Sequence, residues 1–188
     1  MNILASVFDK NGLDSFLKDI IRDGDIVYAT GKTAEFLKSS GIDAISTSKL
    51  SGFDELLGGR VKTLVPSIFA GILSNRDARS NEELKAMKYP QFDMVISNLY
   101  PFHKTAAGGD LDEMVENIDI GGISLIRAAA KNIKQFGLIK TGIPTDSGEF
   151  TPVDRSIDTL SLLAREGIGH SIPYHVRYCI AGRSISSH

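Results

Sequence analysis

Apolar residues in this chain fall into short continuous runs, separated by stretches in which they recur every third or fourth position. The runs at 3–8, 26–29, 44–46, 94–97 and 136–139 are short and mostly apolar, as strands buried on both faces are. Between the first two, Leu13, Phe16, Leu17, Ile20 and Ile21 line one face of a predicted helix. Asn11 is placed to cap that helix, and Asp14 falls in its first turn. Further helices are predicted over 33–39, ending ahead of Gly41, over 112–117, and from Ser124 onward behind the Gly121-Gly122 turn. Strand-like runs alternating with helical ones predict a parallel α/β sheet. From 141 to 152 the chain turns to Gly, Pro, Thr, Ser and Asp, which predicts a linker. Beyond it, 156–165 and 174–181 read as helical, interrupted by Gly167, Gly169 and Pro173. The expected organisation is an α/β domain over 1–140, with a linker and C-terminal helical extension of the same domain over 141–188.

Bulk properties narrow the function without choosing it. A chain of 188 residues, 42% hydrophobic and 23% charged, suits one globular domain. A formal net charge of −2 gives no general attraction to nucleic acid or anionic membranes, so any phosphate binding must come from a local group of cations. The single Cys179 excludes an internal disulfide and a multi-cysteine zinc site, and it reads as a small buried hydrophobe. His103, His170, His175 and His188 show no paired ligand spacing, so no metal is implied. No apolar run is long enough to span a bilayer, and the apolar start meets Asp9-Lys10 too early for a signal peptide. A cytoplasmic protein is expected.

Local chemistry gathers at five places. Asp9-Lys10-Asn11-Gly12 and Thr30-Gly31-Lys32-Thr33 each join a strand to a helix, where free backbone N–H groups and small or hydroxyl side chains can cradle phosphate. Gly31-Lys32-Thr33 resembles the end of a nucleotide-binding P-loop, but residues 25–30 lack the glycine that such a loop requires, which excludes an ATPase reading. In Gly58-Gly59-Arg60-Val61-Lys62-Thr63, an extended backbone would put both cations on one side, fit for phosphate or carboxylate; a charge-protected edge strand is the commoner use of such a pattern. Tyr100 follows the run at 94–97 and should stand at the carboxyl end of a strand, where α/β sheets collect ligands, although an isolated Tyr there is ordinarily packed. Asp119 and Lys131 flank Gly121-Gly122 and an alanine-rich run whose opening amides suit an anion or oxyanion.

Taken together, several of these blocks resemble one family. Ser6-Val7-Phe8-Asp9-Lys10-Asn11-Gly12-Leu13, Gly59-Arg60-Val61-Lys62-Thr63-Leu64, Asn98-Leu99-Tyr100-Pro101-Phe102 and Ile118-Asp119-Ile120-Gly121-Gly122 with Arg127-Ala-Ala-Ala-Lys131-Asn132 are similar to the inosine monophosphate (IMP) cyclohydrolase domain. In most members that domain is the N-terminal part of a bifunctional purine-biosynthesis enzyme. The resemblance is dense to about Asn132 and thin thereafter. It implies a three-layer methylglyoxal synthase-like fold, with a mainly parallel sheet and helices on both faces. It implies closure of the purine ring of a formamido-imidazole carboxamide ribonucleotide with loss of water, no cofactor or metal, and a homodimer. Carried over by position, the catalytic residues are Lys62, Tyr100, Asp119 and Lys131. Phosphate and ribose contacts fall to Ser6, Lys10, Thr30, Gly31, Lys32, Thr33, Arg60 and Thr63, and base or oxyanion contacts to Asn98, Gly121 and Gly122.

Three features depart from the family pattern. Lys32 stands where a second glycine is usual, so either its Cβ strains the turn or its ammonium adds a phosphate contact. Val65 replaces the His of Thr-Leu-His-Pro, and Phe69 a second nearby His, which would remove polar groups near the site. The sequence given ends at His188 without a formyltransferase domain: a complete chain is expected to be a stand-alone cyclohydrolase whose formylated substrate another enzyme supplies, and the alternative is a fragment of a bifunctional enzyme. Two rival readings keep the phosphate site. A methylglyoxal synthase would make the Tyr100 and Lys131 blocks superfluous, and a regulatory phosphate-binding domain without turnover would not need Lys62, Tyr100, Asp119 and Lys131 together.

Overall fold

The computed structural model describes residues 1–53, 56–99 and 110–132, and the backbone of strands over 138–144, 150–153 and 178–182. Four short strands, β1 (Asn2–Ser6), β2 (Ile26–Ala29), β3 (Ile45–Ser46) and β4 (Met94–Ser97), pair in parallel with β1 between β2 and β4. Strand side chains alternate between faces, and here both faces are buried. Ile3 and Ala5 of β1 pack with Leu13 and Leu17 of α1 (Leu13–Ile20) and with Ala34 and Leu37 of α2 (Gly31–Ser39). Leu4 points the other way, into a cluster with Ile68 and Ile72 of α4 (Pro66–Leu73) and Leu125, Ile126, Ala128 and Ala129 of α7 (Gly121–Lys131). Helices therefore cover both faces, as expected for a three-layer α/β domain. Between these elements lie α3 (Ser48–Ser51), α5 (Ala78–Met87) and α6 (Leu111–Glu116).

The C-terminal part departs from expectation. Strand β5 (Leu138–Pro144) pairs antiparallel with β6 (Phe150–Val153) and with β7 (Tyr178–Gly182), and β7 pairs antiparallel with β4. The sheet thus has seven strands in the order β3-β2-β1-β4-β7-β5-β6, parallel only in its first four. Much of the predicted linker over 141–152 is strand, because its Ile and Thr residues favour extended backbone more strongly than its Gly and Pro residues oppose it. Pro152 is tolerated because β6 is an edge strand. The predicted helix over 174–181 is strand from Tyr178 onward. β4 is buried along its whole length, and without β7 it would leave an open sheet edge. The predicted helix over 156–165 lies outside the described residues.

The parallel strands all point one way, so Ser6, Thr30 and Ser97 finish at one edge of the sheet. In open α/β sheets that carboxyl edge is where ligands bind.

Candidate functional site

The floor of the site is a set of hydroxyls at this edge. Thr30 Oγ1 lies 3.4 Å from both Ser6 Oγ and Thr33 Oγ1. Thr33 Oγ1 in turn donates to the Val7 carbonyl at 3.1 Å. Thr30 is the extended residue before α2, and its side chain caps none of that helix's amides, so the first turn of α2 keeps N–H groups suited to an anion. Lys32 is the second residue of α2, exposed, with ordinary helical backbone and no left-handed φ. Its Cβ therefore imposes no strain at this turn, which removes one of the two expectations for the missing glycine.

Lys10 and Asn98, expected as substrate contacts, are both engaged with the β1–α1 loop. Lys10 Nζ donates to the Phe8 carbonyl at 3.1 Å. Asn98 is buried; its Oδ1 accepts from the amides of Phe8 at 2.6 Å and Asp9 at 3.2 Å, and its Nδ2 donates to the Asp9 carbonyl at 2.7 Å. Asn98 ties the β1–α1 loop to the end of β4. These contacts give Asn98 a structural role in addition to its expected one as a base or oxyanion contact. Its neighbour Ser97 was not anticipated. The Ser97 hydroxyl is fully buried on the face shared with Ser6, and no hydrogen-bond partner is found among the described residues. A buried polar atom left so invites a ligand or water.

One wall comes from the segment after α3. Leu56 and Val61 form an antiparallel bridge, and Leu57 and Gly58 turn the chain between them with φ of 53° and 65°. Arg60 has helical backbone, so the segment is a tight turn and not the extended run that would put Arg60 and Lys62 on one side. Arg60 instead reaches the Glu116 carboxylate at the end of α6. The hydrogen bonds and charge of that pair hold the Glu116 carboxyl below its ordinary range and raise the Arg60 guanidinium further. Lys62 is half-buried and Thr63 buried.

Adjoining this segment is the start of α7. Asp119 Oδ1 accepts from the Gly122 amide at 2.7 Å. Neither glycine has a positive φ, so what a side chain would meet at each is crowding and not backbone strain. A Cβ on Gly121 would stand 2.9 Å from Thr63 Oγ1, and one on Gly122 would stand 2.8 and 3.0 Å from the Asp119 carboxylate oxygens and 2.9 Å from Leu99 Cδ2. Three chain segments, around Thr63, Leu99 and Asp119, thus meet at one helix end. At that helix end the Asp119 carboxylate itself takes one of the free backbone N–H groups.

Lys131 is not part of this meeting point. The eleven residues of α7 extend for about 15 Å at 1.5 Å per residue, much farther than a lysine side chain spans. Asn132, next in the chain, donates to the carbonyls of Ile72 and Ser74, and Ser74 Oγ accepts from Gln91 just ahead of β4. Those contacts place Lys131 at the amino edge of the sheet. Tyr100 lies outside the described residues. Val65 and Phe69 pack in the apolar cluster formed with α4 and α7. Among the described residues no three His, Cys, Asp or Glu side chains converge as metal ligands.

The fold is an α/β domain whose parallel strands bring the hydroxyls of Ser6, Thr30 and Thr33 to one edge, with Thr63, Asp119 and Gly121-Gly122 meeting at a helix start. The MGS-like domain model matches residues 12–124, and the chain belongs to that family. It is 41% identical over 182 residues to the bifunctional purine biosynthesis protein PurH of Cutibacterium acnes, covering 92% of this chain and 34% of that protein. It is 48% identical over 134 residues to PurH of Caldicellulosiruptor bescii, covering 70% and 26%. The chain therefore spans about a third or less of these relatives. Among solved structures, it resembles the crystal structure of ForH with a TM-score of 0.62 and 29% identity, covering 88% of this chain and 79% of that one.

Proposed function

We propose that this chain is an IMP cyclohydrolase, which closes the purine ring of a formamido-imidazole carboxamide ribonucleotide in the cytoplasm. The observation that carries this reading is the convergence of Thr63, Asp119 and Gly121-Gly122 at one helix start, with Lys62 next to Thr63 in the chain; the Ser6, Thr30 and Thr33 hydroxyls gather at the carboxyl edge of the sheet. The similarity to the PurH proteins supports it. In the reaction the carboxamide nitrogen attacks the formyl carbon, the C–N bond forms and the formyl oxygen takes up negative charge. That oxygen takes up two protons and leaves as water, as the formamide nitrogen gives up its own proton and forms the C=N bond of the ring. The nitrogen is a weak nucleophile, so the site must orient it, accept its proton and stabilise the oxyanion. We assign the oxyanion to the Lys62 ammonium and the opening amides of α7 other than that of Gly122, which Asp119 already takes, the proton on nitrogen to Asp119, and protonation of the departing oxygen to Tyr100. The phosphate falls to Arg60, Lys10, Lys32 and the first turn of α2, and the ribose to Ser6, Thr30, Thr33 and Thr63. An absorbance assay of IMP formation tests this. Turnover is expected; binding of the nucleotide without turnover would instead identify a regulatory domain.

Lys131 enters this proposal as a residue supplied by a second copy of the chain in a homodimer. Lys131→Ala and Lys62→Ala chains are each expected to be nearly inactive. If Lys131 acts across the interface, random mixing should restore roughly a quarter of parental activity, because half the dimers are mixed and each carries one intact site. A fully active Lys131→Ala chain would remove Lys131 from the mechanism.

A further inference from the structure

Arg60 has a partner that the sequence did not suggest. Its Nε donates to Glu116 Oε1 at 3.5 Å, and its Nη2 is paired with Glu116 Oε2. A guanidinium has five N–H donors in a fixed plane. A carboxylate lying along the Nε–Nη2 edge leaves Nη1 and one hydrogen of Nη2 for a second anion. We infer that Glu116 is a positioning residue, holding the Arg60 guanidinium by one edge so that its end is presented to the substrate phosphate. The inference rests on the cyclohydrolase reading, which makes Arg60 a phosphate contact.

Two further observations favour this role over a purely stabilising one. The side chains of Arg60 and Glu116 are 65% and 58% exposed, and exposed ion pairs contribute little to folding. The pair also links two parts of the site. Arg60 belongs to the turn between Leu56 and Val61, whose left-handed residues leave it a protruding loop. Glu116 is the last residue of α6, and the chain runs from it directly to Asp119. An arginine on such a turn would otherwise sample many rotamers, and ordering it only when phosphate arrives would weaken binding. Arg60 keeps Glu116 ionised below the ordinary carboxylate range, so the pair persists in mildly acidic solution.

The test compares Glu116→Ala, Arg60→Ala and the double variant with the parent chain. Binding of IMP and of inosine is measured by calorimetry, and turnover by absorbance. Glu116→Ala is expected to weaken IMP binding and raise KM about tenfold, the scale of a misplaced charge-assisted contact, with kcat nearly unchanged and inosine binding unaffected. In the Arg60→Ala background it should have no further effect, because its action passes through Arg60. Tighter IMP binding by Glu116→Ala would make Glu116 a competitor of the phosphate and overturn the inference. Losses that add to those of Arg60→Ala, or that extend equally to inosine, would also overturn it. Since the binding arm does not use turnover, a parent that binds IMP without converting substrate refutes the cyclohydrolase reading while still testing Glu116.

Discussion

Replacing Lys62 with alanine is expected to lower kcat about 10²–10³-fold, the range for removing one well-placed oxyanion donor. KM should change little, because the formyl oxygen carries full negative charge only as the ring closes, and an interaction made mainly in the transition state appears in kcat. Lys62 sits between the Arg60 turn and the buried Thr63, half withdrawn from water, where its charge is less screened than on an open surface. Lys62→Arg should recover only part of the activity, since a planar guanidinium does not reproduce a compact ammonium. The comparison requires kcat from saturated steady-state curves and thermal melts of all three proteins. A Lys62→Ala variant within threefold of the parent would remove Lys62 from the oxyanion role.

The strands at this site were legible because central parallel strands are buried on both faces and leave unbroken apolar runs. The first helix was legible from its periodicity, although Gly12 in a left-handed conformation precedes it and Asn11 does not cap it; the second was legible from punctuation, since α2 ends at Ser39 with Gly41 at φ 80° beyond it. Helix α4 was missed because Pro-Ser-Ile-Phe-Ala-Gly-Ile-Leu has no polar face to give it a period; it is packed against both the sheet and α7. Helix α5 was missed although Asp77 caps it, with Oδ1 accepting from the Ser80 amide at 2.7 Å. That signal is local and weak without an apolar stripe beside it.

Site chemistry was legible in residue type but less so in geometry. Arg60 and Lys62 read as one cationic face only if the chain is extended, and two left-handed residues at Leu57 and Gly58 overturn that. Asn98 carries the right groups for a ligand, yet its amide is used by a loop that begins about 90 residues earlier in sequence, a pairing no local pattern announces. Ser97 carried no sequence signal at all, since a serine ending a strand is commonplace. Lys131 could have been doubted from sequence, because an unbroken helix from Gly121 must carry it away from Asp119.

Gly122→Ala is expected to abolish most activity while leaving the fold intact, and the reason separates it from an ordinary glycine substitution. Gly122 lies inside α7 with helical backbone, where alanine is favoured by up to about 1 kcal/mol. The obstacle is steric: the new Cβ would meet both Asp119 carboxylate oxygens at 2.8 and 3.0 Å, and Leu99 Cδ2 at 2.9 Å. Leu99 can move its methyl group by a small rotation. The carboxylate is held at 2.7 Å by the amide of Gly122 itself, so relieving the contact breaks that hydrogen bond and swings Asp119 away from its position. Overpacking of this kind costs about 1–3 kcal/mol, partly offset by the helix preference, so the melting temperature should fall only a few degrees. Activity should fall by about 10² or more, close to that of Asp119→Ala, because a displaced acid–base group is nearly as ineffective as an absent one. Gly121→Ala, whose Cβ meets only Thr63 Oγ1 at 2.9 Å, should cost less. Circular dichroism melts and kcat for the three variants decide the matter. If Gly122→Ala retains parental turnover while Asp119→Ala does not, the carboxylate tolerates displacement and its assignment to a fixed proton-transfer position is wrong. If both retain it, Asp119 is a helix cap and nothing more.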